Sequence, residues 1–159
     1  MKTLVILGGG TEAVPIIQRV KELNFRAVVV DGNPEAPGFL PSAIPLRGVS
    51  CYHADQAIPA LRWLNIPLDG VMCAGVDAPV TAAEIRHAFG LPGMTTDAAR
   101  LSVDKYKQKW ALRRADLPVP RFCLMEDGII PSYWAGVFKP VDSRGGRGVT
   151  RLVSGIAWV

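Results

Sequence analysis

The sequence predicts an α/β fold in which a doubly wound parallel sheet is followed by a helix and a small antiparallel β part. Three observations lead to this prediction. Short, uninterrupted apolar runs at residues 3–7, 27–30 and 70–74 have the length and composition of strands buried on both faces. Segments with apolar residues at helical spacing separate these runs. Short polar or glycine-rich turns join strand to helix, and this alternation is typical of parallel βαβ units.

The composition indicates a globular chain with a small excess of positive charge. Of its 159 residues, 49% are apolar and 20% are charged, and the net charge is +4. Lysines and arginines are scattered, so nucleic acid is not expected as a partner, whereas small anionic ligands suit the charge. The apolar run at 3–7 is too short for a signal peptide or a membrane span, and no membrane partner is expected.

The cysteines and histidines indicate neither a disulfide framework nor a metal site. The three cysteines, Cys51, Cys73 and Cys123, are odd in number and far apart, as expected for reduced thiols of a cytoplasmic protein. Neither histidine has a partner at ligand spacing, so no structural zinc site is predicted.

The first strand, at 3–7, runs into a glycine turn and a helix. The helix carries its apolar residues at Val14, Ile17, Val20 and Leu23, and Pro15 falls in its first turn, where proline is tolerated. A second strand at 27–30 follows and completes a βαβ unit.

This unit allows two interpretations of its glycines. Gly8, Gly10 and Ala13 fit the dinucleotide fingerprint, and Asp31 lies where a ribose-binding acid would lie, as in a Rossmann oxidoreductase that binds NAD(P). The same glycines are also expected wherever a strand turns tightly into a helix. A proline-rich loop, rather than a second helix, follows Asp31, which weakens the fingerprint.

The elements up to residue 94 continue the alternation of strands and helices. They are a loop at 32–47 with four prolines that covers the sheet edge or a ligand cleft, a short strand at 49–52, a helix from Asp55 with Ile58, Leu61 and Leu64 on one face, a strand at 70–74, and a helix at 81–89 that Gly90 ends.

Ligands of such sheets bind above the carboxyl ends of the strands. The residues that follow the strands are therefore predicted to line one substrate cleft, and they are Gly8, Gly9, Gly10, Thr11, Asp31, Asn33 and Asp77. Asp77 has a second interpretation as the cap of the helix that follows it.

A long basic helix and a small β part are predicted after residue 95. Thr96 or Asp97 caps the helix, whose apolar residues are Ala98, Leu101, Tyr106, Trp110 and Leu112, with a break in the stripe at Asp104-Lys105. A solvated face explains most of its lysines and arginines. The prolines at 118 and 120 end it, and strands are predicted at 121–124 and 134–139, with a turn at 126–128 between them.

The stretch from Phe138 to Val149 is where we expect an anion to bind. A strand leads into Lys139 and Pro140, a loop with three glycines and two arginines follows, and a second apolar run at 149–153 closes it. Glycines let the backbone turn its N–H groups towards one point, and cations beside them favour an anion there. No Gly-Lys-Ser/Thr follows, so the loop is not a P-loop. The alternative is a hairpin with a flexible basic turn.

Seven short motifs occur in a fixed order along the chain. They are Gly8-Gly9-Gly10, Val30-Asp31-Gly32-Asn33-Pro34, Asp69-Gly70-Val71, Gly90-Leu91-Pro92-Gly93, Asp104-Lys105, Leu117-Pro118-Val119-Pro120-Arg121-Phe122, and the stretch from Val137 to Val149. In this order the chain resembles the N-terminal part of ATP-grasp ligases, near the branch of carbamoyl-phosphate synthase and biotin carboxylase. The resemblance implies a Rossmann-like pre-ATP-grasp domain at 1–94 and an incomplete first ATP-grasp subdomain at 95–159.

The resemblance also implies a reaction and a nucleotide site. Members of this family phosphorylate a small-molecule carboxylate with ATP, and an amine then attacks the acyl phosphate. Lys105 and Lys139 match the two lysines that contact the nucleotide. The loop that closes over the β- and γ-phosphates would comprise Ser143, Arg144, Gly145, Gly146, Arg147 and Gly148. No catalytic residue of the family is matched.

The chain departs from the family pattern in two ways. Between Leu124 and Val137 the family usually has a helix, whereas this sequence has room only for a short turn. The family's adenine pocket and magnesium ligands lie beyond Val159, so ATP and Mg²⁺ are expected as cofactors of a longer parent protein and no metal site is predicted here. We expect an N-terminal portion of a ligase that is inactive alone, and its open core would favour a homo-oligomer. A non-catalytic binding module is the third interpretation.

Overall fold

The computed structural model describes residues 1–125, 135–143 and 145–152. The chain divides into two compact units, Met1–Arg100 (unit 1) and Leu101–Val159 (unit 2). Unit 1 contains a four-stranded parallel sheet and unit 2 a two-stranded antiparallel sheet. The predicted α/β fold, with a parallel sheet first and a small antiparallel part after it, is confirmed.

The sheet of unit 1 has the strand order β3-β2-β1-β4, so the first strand lies in the middle. The strands are β1 (Thr3–Leu7), β2 (Arg26–Asp31), β3 (Ile44–Arg47) and β4 (Gly70–Cys73). Val5 of β1 is paired with Val28 of β2 on one side and with Val71 of β4 on the other. All the pairings are parallel, and both faces of the central strands are buried.

Helices cover both faces of this sheet. They are α1 (Val14–Glu22), α2 (Ala54–Trp63) and α3 (Pro79–Phe89). Because side chains alternate along a strand, Val5 and Leu7 pack with α2 and α3, whereas Ile6 packs with α1 and Phe39 on the other face. The structure thus has the two apolar layers that a doubly wound sheet needs.

The third strand was predicted in the wrong place. A strand was expected at 49–52, but residues 44–47 form β3, and 49–52 form a turn region. Pro45 lies within β3, and proline cannot donate a hydrogen bond to a sheet. It is tolerated because β3 is an edge strand, where one side of the strand has no partner.

The ends of the helices in unit 1 correct two further predictions. Leu23 was expected on the buried face of α1, but it follows the last helical residue and is 50% exposed. Asp77 does not occupy the cap position of α3, which belongs to Ala78 because Pro79 takes the first helical position. Gly90 ends α3 as predicted, with a left-handed backbone (φ 64°), and the Leu91 N–H donates to Arg86 O at 2.8 Å.

The single long helix predicted after residue 95 is wrong. Two helices, α4 (Thr96–Val103) and α5 (Lys105–Arg114), meet at Asp104, whose backbone is extended (φ −105°, ψ 101°). Asp104 is the N-cap of α5, and this explains the break in the apolar stripe. Thr95 rather than Thr96 or Asp97 caps α4, since its Oγ1 accepts from the Ala98 N–H at 3.2 Å.

In unit 2 the strands β5 (Gly136–Phe138) and β6 (Thr150–Leu152) form an antiparallel pair. They correspond to the strands predicted on either side of the glycine loop. Residues 121–124 were predicted as a strand but have no regular structure. The turn predicted at 126–128, Trp134, Arg144 and the residues after 152 lie outside the described residues. Among the described helices, none has the length and apolar character needed to cross a membrane.

Candidate functional site

The glycine loop between β5 and β6 needs glycine at three positions. Gly145, Gly146 and Gly148 all have left-handed backbones, with φ of 63°, 72° and 70°. A Cβ atom at Gly148 would lie 2.8 Å from Cγ of Pro140, whereas Gly145 and Gly146 face open space. The Val149 N–H donates to Gly146 O at 3.2 Å. The loop is therefore a tight turn whose backbone shape excludes most side chains.

Beside this hairpin, unit 2 has a cleft of about 510 Å³. It is lined by Lys105, Tyr106 and Lys109 of α5, residues 121–125 and 135–141, and Leu152. Four cationic side chains line it, namely Lys105, Lys109, Arg121 and Lys139. None of the lining residues that the structure describes is acidic. A cleft of this size, apolar on its walls and positively charged, suits a small anionic ligand.

Lys139 and Lys105 lie in the same cleft but in different surroundings. Lys139 directly follows β5, is exposed, and makes no hydrogen bond or ion pair with any other residue in the described ranges. Lys105 is half-buried, and its Nζ donates to Val141 O at 3.3 Å and also to Ser143 O. The structure thus places both predicted lysines at one cleft, with Ser143 bonded to Lys105, and of these two lysines only Lys139 has an ammonium group that no described residue engages.

An aromatic cluster adjoins the cleft, and its members Tyr106 and Phe122 are lining residues. Tyr106 and Trp110 of α5 contact the ring of Phe122 edge-to-face, with centroids 5.8 Å and 5.6 Å away. Lys109 Nζ lies over the Phe122 ring at 5.4 Å. Sequence reasoning missed Tyr106, Lys109, Arg121 and Phe122 as lining residues. One signal was present, because Lys105 and Lys109 are four residues apart and share a helix face.

Asp104 fixes the start of α5. Its Oδ1 accepts from the backbone N–H groups of Tyr106 (3.1 Å) and Lys107 (2.9 Å), and its Oδ2 pairs with Lys107 Nζ at 3.1 Å. The pKa of Asp104 is lowered, first by the hydrogen bond from the Lys107 backbone and further by the Lys107 ammonium group. Asp104 is therefore held as a carboxylate at the helix start, where a negative charge is favourable.

In unit 1 the predicted substrate-cleft residues lie together where the strands end. Gly8 packs against Ala74 O and Val76, which precede Asp77, and the Gly9 N–H donates to Asp31 Oδ2 at 2.6 Å. The other carboxylate oxygen of Asp31 accepts from the Asn33 N–H at 2.8 Å. Thr11, Asn33 and Asp77 are exposed and Gly10 is half-buried, so these four remain accessible from solvent.

The glycine turn of unit 1 is largely closed by its own chain. Gly8 and Gly9 are buried, and the Gly8 N–H donates to Val30 O at 2.9 Å. Gly38 lies directly on the turn, with its N–H donating to Gly9 O at 2.7 Å. A dinucleotide pyrophosphate needs open N–H groups at this turn, and a ribose needs a free acid. The N–H of Gly9 and the carboxylate of Asp31 are instead bonded to each other.

Two residues of this region were missed by sequence reasoning. The Glu12 side chain lies between the turn after β1 and the turn after β4. Cβ atoms at Gly10 and Gly75, in these two turns, would be 3.0 Å and 3.1 Å from its atoms. Arg47 holds the proline-rich loop, since its guanidinium bonds Pro34 O and lies 4.6 Å from the Phe39 ring centroid. No periodicity in the sequence indicates the approach of Glu12 to Gly75 or the contacts of Arg47, because these depend on how the loops pack.

Within the described ranges, no group of three or more histidine, cysteine, aspartate or glutamate side chains could hold a metal ion.

Known proteins give similarity at the level of structure only. No protein-family profile matches the sequence, and no curated protein sequence matches it significantly. A phosphoribosylglycinamide synthetase structure from Anaerococcus prevotii is 26% identical, with a TM-score of 0.64 over 72% of this chain and 29% of its own. An L-amino acid ligase structure from Bacillus licheniformis is 23% identical, with a TM-score of 0.73 over 96% of this chain and 39% of its own.

A third structure, N5-carboxyaminoimidazole ribonucleotide synthetase from Thermotoga maritima, is 18% identical, with a TM-score of 0.70 over 96% of this chain and 41% of its own. The three are ATP-grasp ligases. The chain has the fold of the N-terminal part of an ATP-grasp ligase. It spans less than half of the length of each of these ATP-grasp structures. Two other matched structures are complexes with ADP.

Proposed function

We propose that this chain is the N-terminal portion of an ATP-dependent ligase that joins a small-molecule carboxylate to an amine, and that the cleft of unit 2 holds the phosphates of ATP. The observation that carries the proposal is the set of four cationic side chains in one cleft without a described acidic neighbour. Like charges brought together in this way repel one another, and an anion bound between them offsets this repulsion.

The residues of unit 2 fit a polyphosphate. Lys139 offers an ammonium group that no other described residue engages, and point-charge contacts of this kind are typical of phosphate-binding lysines. The left-handed glycines 145, 146 and 148 follow within the same hairpin, and such backbones can turn N–H groups towards an anion. Fixed positive groups of this kind also stabilise the charge that develops during phosphoryl transfer.

The proposed reaction follows the resemblance to ATP-grasp ligases. When bound, ATP supplies the phosphoryl group, which passes to an oxygen of the carboxylate substrate. The amine then forms the new C–N bond, and phosphate leaves. Within unit 1, the exposed residues Thr11, Asn33 and Asp77 at the strand ends are proposed to bind a small-molecule substrate. No step is assigned to Mg²⁺ on this chain, because no metal-ligand cluster occurs within the described residues.

The Rossmann oxidoreductase interpretation is not favoured by the geometry. The Gly9 N–H and the Asp31 carboxylate are engaged with each other, and Gly38 covers the turn between them. No specific observation favours a purely non-catalytic module over the ligase, so that interpretation becomes an outcome of the experiment.

A thermal-shift comparison of ADP and NADH tests the proposal on the purified chain. A ligand at a hundred times its Kd should stabilise the chain by about 2.7 kcal/mol. We expect stabilisation by ADP, none by NADH, and loss of the ADP effect in Lys139→Met. The matched control is Lys21→Met, because Lys21 is an exposed lysine on α1 of unit 1.

Alkylation of Cys123 shows whether ADP binds in the proposed cleft. Cys123 is exposed and lines the cleft, whereas burial raises the pKa of both Cys51 and Cys73 and lowers their thiolate content. Iodoacetamide should therefore modify Cys123 first, and ADP should slow that reaction. Stabilisation by NADH alone would favour the oxidoreductase. An absence of any response to ADP in either measurement would refute the nucleotide site and favour the non-catalytic module.

A further inference from the structure

Lys105 makes two different kinds of contact with the segment between β5 and the glycine loop. Its backbone N–H donates to Val141 O at 3.0 Å, and its side-chain ammonium bonds the carbonyl oxygens of Val141 and Ser143. These contacts join positions 36 and 38 residues apart in the sequence. One residue thus holds the root of the loop, which is the segment 141–143, against the start of α5.

The start of α5 is already saturated with hydrogen bonds. The first N–H groups of a helix lack partners within the helix and commonly bind anions. Here the Lys105 N–H donates to Val141 O, and the N–H groups of Tyr106 and Lys107 donate to Asp104. The helix start therefore offers these three groups to its own chain and not to a ligand.

The same helix also holds a second segment that lines the cleft. Tyr106, which follows Lys105 directly, and Trp110 pack against Phe122, and Phe122 lines the cleft together with Lys139. Through Lys105, α5 is bonded to residues 141 and 143, and through its aromatic side chains it is packed against residue 122. The contacts of Lys105 therefore join the root of the loop to the helix that also packs against Phe122.

We propose that Lys105 is a positioning residue that fixes the root of the glycine loop against α5, and that Lys139 is the lysine that binds the anion. The resemblance implies that both lysines contact the nucleotide, whereas we assign the contact with the anion to Lys139 and the positioning role to Lys105. The positioning role stands on contacts of the chain with itself, and only the identity of the anion rests on the proposed function.

Hydrogen exchange of the nucleotide-free chain, followed by mass spectrometry, tests this division. In Lys105→Met, peptides covering residues 141–149 should exchange about tenfold faster, as expected when a charge-assisted hydrogen bond is lost. Lys105→Arg, which keeps a charged donor, should restore most of the protection. Lys139→Met should exchange like the wild type. Peptides of α5 report whether unit 2 remains folded in each variant.

Unchanged exchange in Lys105→Met, or equal acceleration in Lys139→Met, would overturn the proposal. If Lys105→Met also exposes α5, the wild-type chain supplies the answer through ¹⁵N spectra of its side-chain ammonium groups. The Lys105 signal should then be visible without ligand, since its protons are held by carbonyl groups, and the Lys139 signal should respond most to ADP. A Lys139 signal that is visible without ligand, together with a Lys105 signal that responds most to ADP, would refute the proposal. Because the exchange measurement contains no nucleotide, its outcome is independent of whether ADP binds.

Discussion

Replacing Asp104 by alanine should loosen α5 and, with it, the wall of the cleft. Asp104 Oδ1 accepts two backbone N–H bonds from Tyr106 and Lys107, and its Oδ2 pairs with Lys107 Nζ. Alanine removes all three contacts. Loss of an N-cap typically destabilises a protein by about 1 kcal/mol. Lys107 is 72% exposed, so water screens the ion pair and its contribution is at most about 0.5 kcal/mol.

The expected total loss for Asp104→Ala is therefore about 1.5 kcal/mol at pH 7. Asp104→Asn is the matched control, because asparagine is about as good an N-cap as aspartate but carries no charge. It should lose about 0.5 kcal/mol or less. The pKa of Asp104 is lower in the folded chain, so the contribution of its charge is fully present above the unfolded pKa of about 4 and is lost as the pH falls through the folded pKa. The difference between wild type and Asp104→Asn should vanish in acid.

Hydrogen exchange of α5 measures this difference locally. A loss of about 1.5 kcal/mol corresponds to exchange about tenfold faster in peptides of α5 for Asp104→Ala. Peptides of β1, in unit 1, serve as the internal reference. Rates at each pH are divided by the intrinsic exchange rate. The explanation would be refuted if Asp104→Ala left α5 unchanged, or if Asp104→Asn were as damaging as Asp104→Ala at pH 7.

Two further predictions concern the two glycine turns. Asp31→Asn should destabilise unit 1 by about 1–3 kcal/mol in urea unfolding, because one of the N–H groups of Gly9 and Asn33 loses its carboxylate acceptor. The control is Glu35→Gln at an exposed position, which should stay within about 0.5 kcal/mol of wild type. Equal effects of the two substitutions would contradict the role of Asp31. Gly148→Ala should destabilise the β5–β6 hairpin by about 2–3 kcal/mol and Gly145→Ala by about 1–2 kcal/mol, because both have left-handed backbones but only Gly148 would also press on Pro140. Amide exchange of residues 136–138 measures this difference, and equal rates in the two variants would contradict the packing argument.

The errors at β3 and at Asp104 have different physical causes, since the first depends on the tertiary fold and the second on local hydrogen bonds. Pro45 is tolerated because β3 lies at the edge of the sheet, which the local sequence does not indicate. Asp104 interrupts an apolar helical stripe because its side chain satisfies the N–H groups of a second helix. The break in the apolar positions at Asp104 is visible in the sequence, but helical periodicity alone does not distinguish a cap residue from an exposed residue within a helix.

The sequence predicted only part of the candidate site, because the rest of its lining depends on tertiary packing. Lys105 and Lys139 were identified from the resemblance and do lie in one cleft, yet the sequence assigned them the same role. Lys109, Arg121 and Phe122 were missed, since which face of α5 meets residue 122 depends on packing. Arg144 lies outside the described residues.

The sequence by itself determined the local features of this protein. Uninterrupted apolar runs specified the buried strands at 3–7, 26–31 and 70–73, and glycines marked the turns that need left-handed backbones. Only the tertiary structure decided which polar groups remain free to bind a ligand. The Gly9 N–H is taken by Asp31, 22 residues away, and the Lys105 ammonium by Ser143, 38 residues away. Such partners are selected by chain packing, and in the described part of the chain they leave the ammonium group of Lys139 exposed at the cleft.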